Sequence, residues 1–335
     1  MTPHQDIMKT LKVNRTRSSK ESEEWAGYFF SMADGPEVPY KSKTAAKPIA
    51  KYAKKAKGSG WNVINKPMRI VDKATGEVIA HLFRPTKKLP AKDLANDILG
   101  TYAKKMPSTN RGAAAGVFDL KMMRKKRPNA NFQNVGRFRA RMMNKSNSSY
   151  FSTSNIANSA VVGYTDGTTG ADVPCRQTAF NQNNLQAFKQ CIPLFSAISN
   201  IFKKAEPAAF NRQKKQISKP YMKRVRITDT VFSTVTVNND FRTGLHVDKG
   251  DLKEGFGVLY MSSAGVNGGE LLFPEYDLAF ELKDNDVLFF NTHLWHSTAP
   301  FENVGGERIS FVCYLRENLL NTCSKQYTKK SASRK

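Results

Sequence analysis

Between residues 227 and 318 the chain changes its rhythm. The runs TVFSTVTV, FGVLYMSS, GELLFPEY, LAFELKD, DVLFFN and RISFVCYL are short, apolar and β-prone, and Gly, Asn and Asp divide them. Alternation over four to eight residues is the pattern of half-buried strands. Many such strands at regular spacing fold as a sandwich or a barrel. The expected class is mainly β (α+β), and no internal repeat is evident.

The same zone carries the chemistry. Of five histidines, His246, His293 and His296 lie within it. The string LHVD sets His246 and Asp248 two apart, so on an extended chain both side chains reach one face and one ion. His296 follows in NTHLWHSTAPF, and GGERISF then offers Arg308 on the last strand. Two histidines and a carboxylate form the facial triad of non-haem Fe(II) oxygenases, which leaves coordination positions for co-substrate and O2. Arg suits a bidentate grip on a carboxylate. Each element alone is weak, since HxD arises by chance; the ordered set is specific. His296 lies four residues before Pro300 and ahead of Gly-x-Arg, the spacing of 2-oxoglutarate enzymes. That selects His296 as the third ligand and leaves His293 to the turn or outer shell.

Upstream, residues 185–205 (LQAFKQCIPLFSAISNIFKKA) repeat apolar positions at helical spacing. Pro193 inside the run predicts two short helices, or one with Pro193 near its start. MRIVDKATGEVIAHLFRP predicts a hairpin about Ala74-Thr75-Gly76. The four cysteines are widely spaced with no CxxC pair, so reduced thiols are expected. No run of about 18 apolar residues appears and the first thirty lack an apolar core, so an intracellular chain without a membrane span is expected.

Charge is lopsided. Residues 1–150 hold 31 Lys+Arg against 11 Asp+Glu, a net of 31 − 11 = +20, of the chain's +25. A field of this size favours polyanions. The segment from Lys121 to Lys145 interleaves cations with Phe132 and Phe138, a pattern able to track a phosphate backbone. KKQISKPYMKRVR forms a second basic patch.

The stretch from RITDTVFSTVTVNNDFRTGLHVDKGD to NTHLWHSTAPF resembles the TET/JBP branch of 2-oxoglutarate oxygenases, most of all its base-J-binding-protein members. The likeness covers roughly residues 150–318. It implies a double-stranded β-helix (jelly-roll) core with flanking helices, Fe(II), 2-oxoglutarate and O2 as cofactor and co-substrates, and hydroxylation of a 5-methylpyrimidine in DNA. It matches His246, Asp248 and His296 to the metal triad, Arg308 with Ser310 to 2-oxoglutarate, and Asp251 to the pyrimidine edge. Asp accepts from cytosine N4 and equally from thymine N3–H, so Asp251 leaves 5-methylcytosine and thymine open. Asn238 and Arg242, in VNNDFRT, either bind 2-oxoglutarate near the metal or fix a turn.

The expected organisation is a basic region (1–145), an oxygenase domain (146–320) and a basic tail (321–335). DNA, entered through a flipped base, is the expected partner. Two rivals remain: a prolyl or lysyl protein hydroxylase, and an inactive jelly-roll that binds nucleic acid.

Overall fold

A computed structural model describes residues 9–22, 61–106, 112–116, 121, 124–125, 128–136, 139–143, 150–153, 157–166 and 175–332. The first strands are β1 (Thr10–Val13), β2 (Asn62–Ile64), β3 (Met68–Asp72) and β4 (Val78–Phe83). β5 (Asn131–Gly136), β6 (Arg139–Met143) and β7 (Tyr150–Thr153) pair only with one another. Then come β8 (Ser159–Asp166), β9 (Cys175–Gln177), β10 (Thr234–Asn239) and β11 (Gly257–Gly268). The last are β12 (Leu271–Phe273), β13 (Leu278–Phe280), β14 (Val287–Phe290), β15 (Ser297–Thr298) and β16 (Phe301–Tyr314).

Nine strands join in the order β1-β3-β4-β14-β11-β16-β10-β8-β9, and four in the order β15-β12-β13-β2. The period-two pattern sorts their side chains. On β11 and β14, Val258, Tyr260, Val287 and Phe289 enter one core, while Leu259, Met261, Leu288 and Phe290 enter another. The second core also holds Leu271, Phe273, Leu278 and Phe280 of the small sheet, so the two sheets pack face to face. The first core holds the helices. The architecture is therefore three layers: small sheet, large sheet, helices.

Helix α1 (Leu185–Ala205) is one continuous helix with Pro193 inside it, unlike either form expected. An interior proline costs about 3 kcal/mol. Burying Phe188, Leu194, Phe195, Ile198 and Phe202 returns about 1.5–3 kcal/mol each, so the core overrides the break. Helix α2 (Pro207–Ile217) follows directly, with Pro207 in its first turn, where the missing N–H costs nothing.

The hairpin about Gly76 forms as β3 and β4. Hydrogen bonding also crosses the compositional boundary near residue 145. β4 pairs with β14, β2 extends the small sheet beside β13, and β1 lies at the far edge of the large one. Of the basic run from Lys121 to Lys145, strands β5 and β6 are described, whereas most of its side chains lie outside the described residues.

The expectation of reduced thiols is overturned for one pair. Cys175 on β9 and Cys323 on helix α3 (Glu317–Ala332) form a disulfide across a separation of 148 residues. Packing of α3 on β9 brings the two Cα atoms to 5.4 Å, which the linear spacing could not reveal. Cys191 and Cys313 stay reduced and buried. Among the described residues no helix is long and apolar enough to cross a membrane.

Candidate metal centre

His246 and Asp248 do not lie on a long strand. They form a short extended stretch that pairs with residues 292–296. His246 exchanges backbone hydrogen bonds with His296 (3.0 and 2.9 Å), and the Asp248 N–H donates to Thr292 O at 2.9 Å. The alternation that was expected of a strand survives in these three residues, so both side chains face the same point.

The geometry fixes the tautomers. His246 Nδ1–H donates to Gly244 O at 2.6 Å, and His296 Nδ1–H donates to Leu294 O at 2.8 Å. A carbonyl can only accept, so each Nδ1 carries hydrogen and each ring turns its Nε2 towards the shared point. Both Nε2 atoms face one carboxylate: His246 Nε2 is 3.5 Å from Asp248 Oδ1, and His296 Nε2 is 3.5 Å from Asp248 Oδ2. One donor atom from each residue fits within 4.8 Å of the others. Ligands at about 2.1 Å from a common ion and at right angles stand about 3 Å apart, so this donor set fits a divalent transition metal. The imidazoles are fixed through backbone carbonyls, as is usual for metal-binding histidines. His293 is differently employed. Its Nε2 lies 3.2 Å from Asp251 O, and its side chain is not part of the triad.

The triad opens into a cleft of about 300 Å³ between the two sheets. The large sheet lines it through the alternate residues of β16, Arg308, Ser310, Val312 and Tyr314, and through Thr236 and Asn238 of β10. Asn238 and Ser310 are direct cross-strand partners. Asn238 Nδ2 donates to Ser310 Oγ at 3.3 Å, and Ser159 Oγ donates to Asn238 Oδ1 at 2.6 Å. Arg242 lies outside this lining, and its Nε donates to Thr298 O at 3.1 Å, fastening the turn before His246 to β15.

Arg308 is buried. One guanidinium nitrogen donates to Gly269 O at 3.0 Å, and the group stacks on Phe301 at 5.4 Å. Burial lowers its pKa to about 10, while the charges of Asp240 and Glu270 act to raise it. A buried cation that faces a cleft, with its guanidinium bonded to the Gly269 carbonyl, fits an anionic co-substrate. Gly269 makes room for it: in the left-handed backbone region (φ +83°), a Cβ there would come within 2.9 Å of Arg308 Nε.

Asp251 is buried in the lining of the same cleft, and its Oδ2 has no hydrogen-bond partner among the described residues. Burial, and then the charge of Asp248, holds its carboxyl well above the usual carboxylate range. Arg316 also lines the cleft and is ion-paired with Asp166. Sequence reasoning missed Tyr314 and Arg316. Counting on by twos from Arg308 and Ser310 would have reached both.

Residues 160–317 match the Tet_JBP family, described as the oxygenase domain of the 2OGFeDO superfamily. Over this segment the chain is similar to the Tet/JBP oxygenase domain. The chain is 35% identical over 177 residues to the bifunctional helicase and thymine dioxygenase JBP2 of Leishmania tarentolae, covering 52% of this chain and 16% of that protein. It is 34% identical over 179 residues to the thymine dioxygenase JBP1 of Trypanosoma brucei brucei, covering 52% and 21%. The chain therefore spans about a fifth or less of the length of these relatives. Among solved structures it is similar to NgTET1 in complex with 5mC DNA, with a TM-score of 0.46 and 14% identity, covering 82% of this chain and 91% of that one.

Proposed function

We propose that the chain is an Fe(II)- and 2-oxoglutarate-dependent dioxygenase that hydroxylates the 5-methyl group of a pyrimidine base in DNA, on a double-stranded β-helix core. The observation that carries this is the shared cleft. Two imidazole Nε2 atoms and the Asp248 carboxylate converge at one point, and the buried Arg308 cation stands in the same lining. Residues 146–320 would carry the machinery, between basic flanks at 1–145 and 321–335.

His246, Asp248 and His296 would hold the ferrous ion on one face and leave the other face open. When bound, iron with 2-oxoglutarate and O2 supplies the oxidising power for C–H hydroxylation, with succinate and CO2 as co-products. Arg308, assisted by Ser310 and Asn238, would hold the distal carboxylate of 2-oxoglutarate and so orient its other end towards the triad. A methyl group inside a duplex cannot reach these buried histidines, so the base must leave the stack. The unpartnered Asp251 Oδ2 would accept a hydrogen bond from the pyrimidine edge and set the methyl towards the centre. The names of the relatives support thymine ahead of 5-methylcytosine.

The deciding experiment incubates the protein with Fe(II), 2-oxoglutarate and either thymine-containing or 5-methylcytosine-containing DNA, followed by nucleoside mass spectrometry. A gain of one oxygen on one of the two bases is expected. Absence of product from both, with 2-oxoglutarate still consumed, would reject DNA as the substrate.

A further inference from the structure

We propose that the outer face of α2 and the turn that follows it (Pro220–Val225) is the surface on which the phosphate backbone of the duplex docks. The inference rests on the DNA reading above and adds the place where the DNA lies.

Residues 203–226 hold nine Lys and Arg against one acid, Glu206. The fold separates them. Helix α2 turns Ala209, Phe210, Gln213 and Ile217 inward, which leaves Arg212, Lys214 and Lys215 on its exposed side. In the next turn Met222 and Val225 are buried, and Lys223 and Arg224 point outward. Glu206 is withdrawn from this face. It is buried, 2.7 Å from Arg69 Nε and 2.9 Å from His81 Nδ1. An ordinary solvated surface intersperses both signs. Here the single acid is spent internally, and Lys214, Lys215, Lys223 and Arg224 form no ion pair among the described residues.

Position completes the argument. Arg212 Nε donates to Glu254 O at 3.0 Å, so α2 lies against the loop that leaves the cleft. Glu254 is three residues beyond Asp251, a chain distance of at most about 10 Å. Helix α2 itself extends about 16 Å. Each strand of a duplex carries a phosphate for every ~3.4 Å of helix axis, so a duplex laid against this face brings several phosphates within reach of its cations. Surface cations spaced in this way position a duplex without reading its sequence.

The test compares two charge-matched quadruple variants of the full chain. K214Q/K215Q/K223Q/R224Q neutralises the face, and K66Q/K73Q/K87Q/K105Q neutralises exposed lysines elsewhere. Glutamine avoids placing acids at the C-terminal end of α2, where they would oppose the helix dipole. Duplex binding is followed by fluorescence anisotropy across a salt series, with thermal unfolding as the check on folding. Each phosphate contact removed lowers the log–log slope by about 0.9, so the face variant should lose up to about 3.6 and bind far more weakly. The distant variant should keep most of the wild-type slope. Equal loss in both variants, or none in the face variant, overturns the docking surface and leaves the DNA reading standing. A wild-type chain that binds phosphatidylserine vesicles but not duplex DNA overturns both.

Discussion

His246 and His296, fifty residues apart, each donate a backbone N–H to the other's carbonyl, at 3.0 and 2.9 Å. The pair makes the spacing of the two Nε2 atoms a property of the backbone rather than of side-chain rotamers. Replacing either by Ala should leave this bridge and the fold intact while abolishing divalent-metal binding, and Asp248→Ala should do the same. His293→Ala should retain metal, because that ring is engaged with Asp251 O. Calorimetric titration with Mn(II) under nitrogen checks all four. Metal retention in His296→Ala with loss in His293→Ala would reverse the assignment.

Arg308→Lys keeps a cation and loses the planar fork. The affinity for 2-oxoglutarate should fall by about 1–3 kcal/mol, the usual worth of charge-assisted bonds, with metal affinity unchanged. A 2-oxoglutarate titration of the metal-loaded protein that matches wild type would remove Arg308 from the site. Gly269→Ala should mimic the loss, because its added methyl would meet Arg308.

Glu275 supports His296 from behind. Its Oε1 accepts the Trp295 N–H at 3.1 Å, and its Oε2 accepts Arg15 at 2.8 Å and Ser19 Oγ at 3.3 Å. The backbone N–H groups of Thr16 and Arg17 both reach Glu275 O. The N-terminal segment thus grips the residue that holds the backbone beside His296. Glu275→Ala should weaken metal binding roughly 10–100-fold, as loss of outer partners commonly does. If metal affinity held while thermal stability dropped, the residue would be structural only.

Glu206 predicts a pH dependence. Burial raises its pKa, but hydrogen bonds from His81 and Arg69 outweigh this, and the net shift is downward. A folded pKa below the unfolded value of 4.5 means that the unfolded chain takes up the proton first. The stabilisation is therefore complete above about pH 4.5 and is lost as pH falls through the folded pKa. Wild type should exceed Glu206→Gln by about 1–3 kcal/mol at neutral pH. Denaturant melts at pH 7 and below pH 4 should show that gap closing, and a constant gap would refute the account.

The strands that build the cleft were legible because they obey a single local rule. Alternation on β11, β14 and β16 divides helix-facing from sheet-facing residues, and the same alternation brings Arg308 and Ser310 to one side. The HxD spacing was readable for the same reason. What remained hidden depends on pairing between distant segments. β1 and β2 are short and largely exposed, with no apolar run to announce them, and they join the sheets only through long-range hydrogen bonds. Glu275 reads as a turn residue in FPEY until Trp295 and the N-terminal segment close around it. Pro193 marked a helix break that α1 ignores, since burial of its aromatic face outweighs one lost bond. Cys175 and Cys323 carried no spacing signal, and only the packing of α3 on β9 pairs them.

In the large sheet β16 lies between β10 and β11, and it is the last of the described strands. During synthesis both earlier strands therefore emerge without their shared neighbour. At ~5–20 residues per second, the ribosome needs about 2–9 s to pass from the end of β11 to the end of β16. Through that interval the apolar runs TVTVNN and GVLYM each present an open edge, the kind that pairs with other nascent chains. The chain should thus depend on holdase chaperones while it is being made. Any recombinant fragment that stops short of Tyr314 should collect in inclusion bodies, however much of the metal triad it contains.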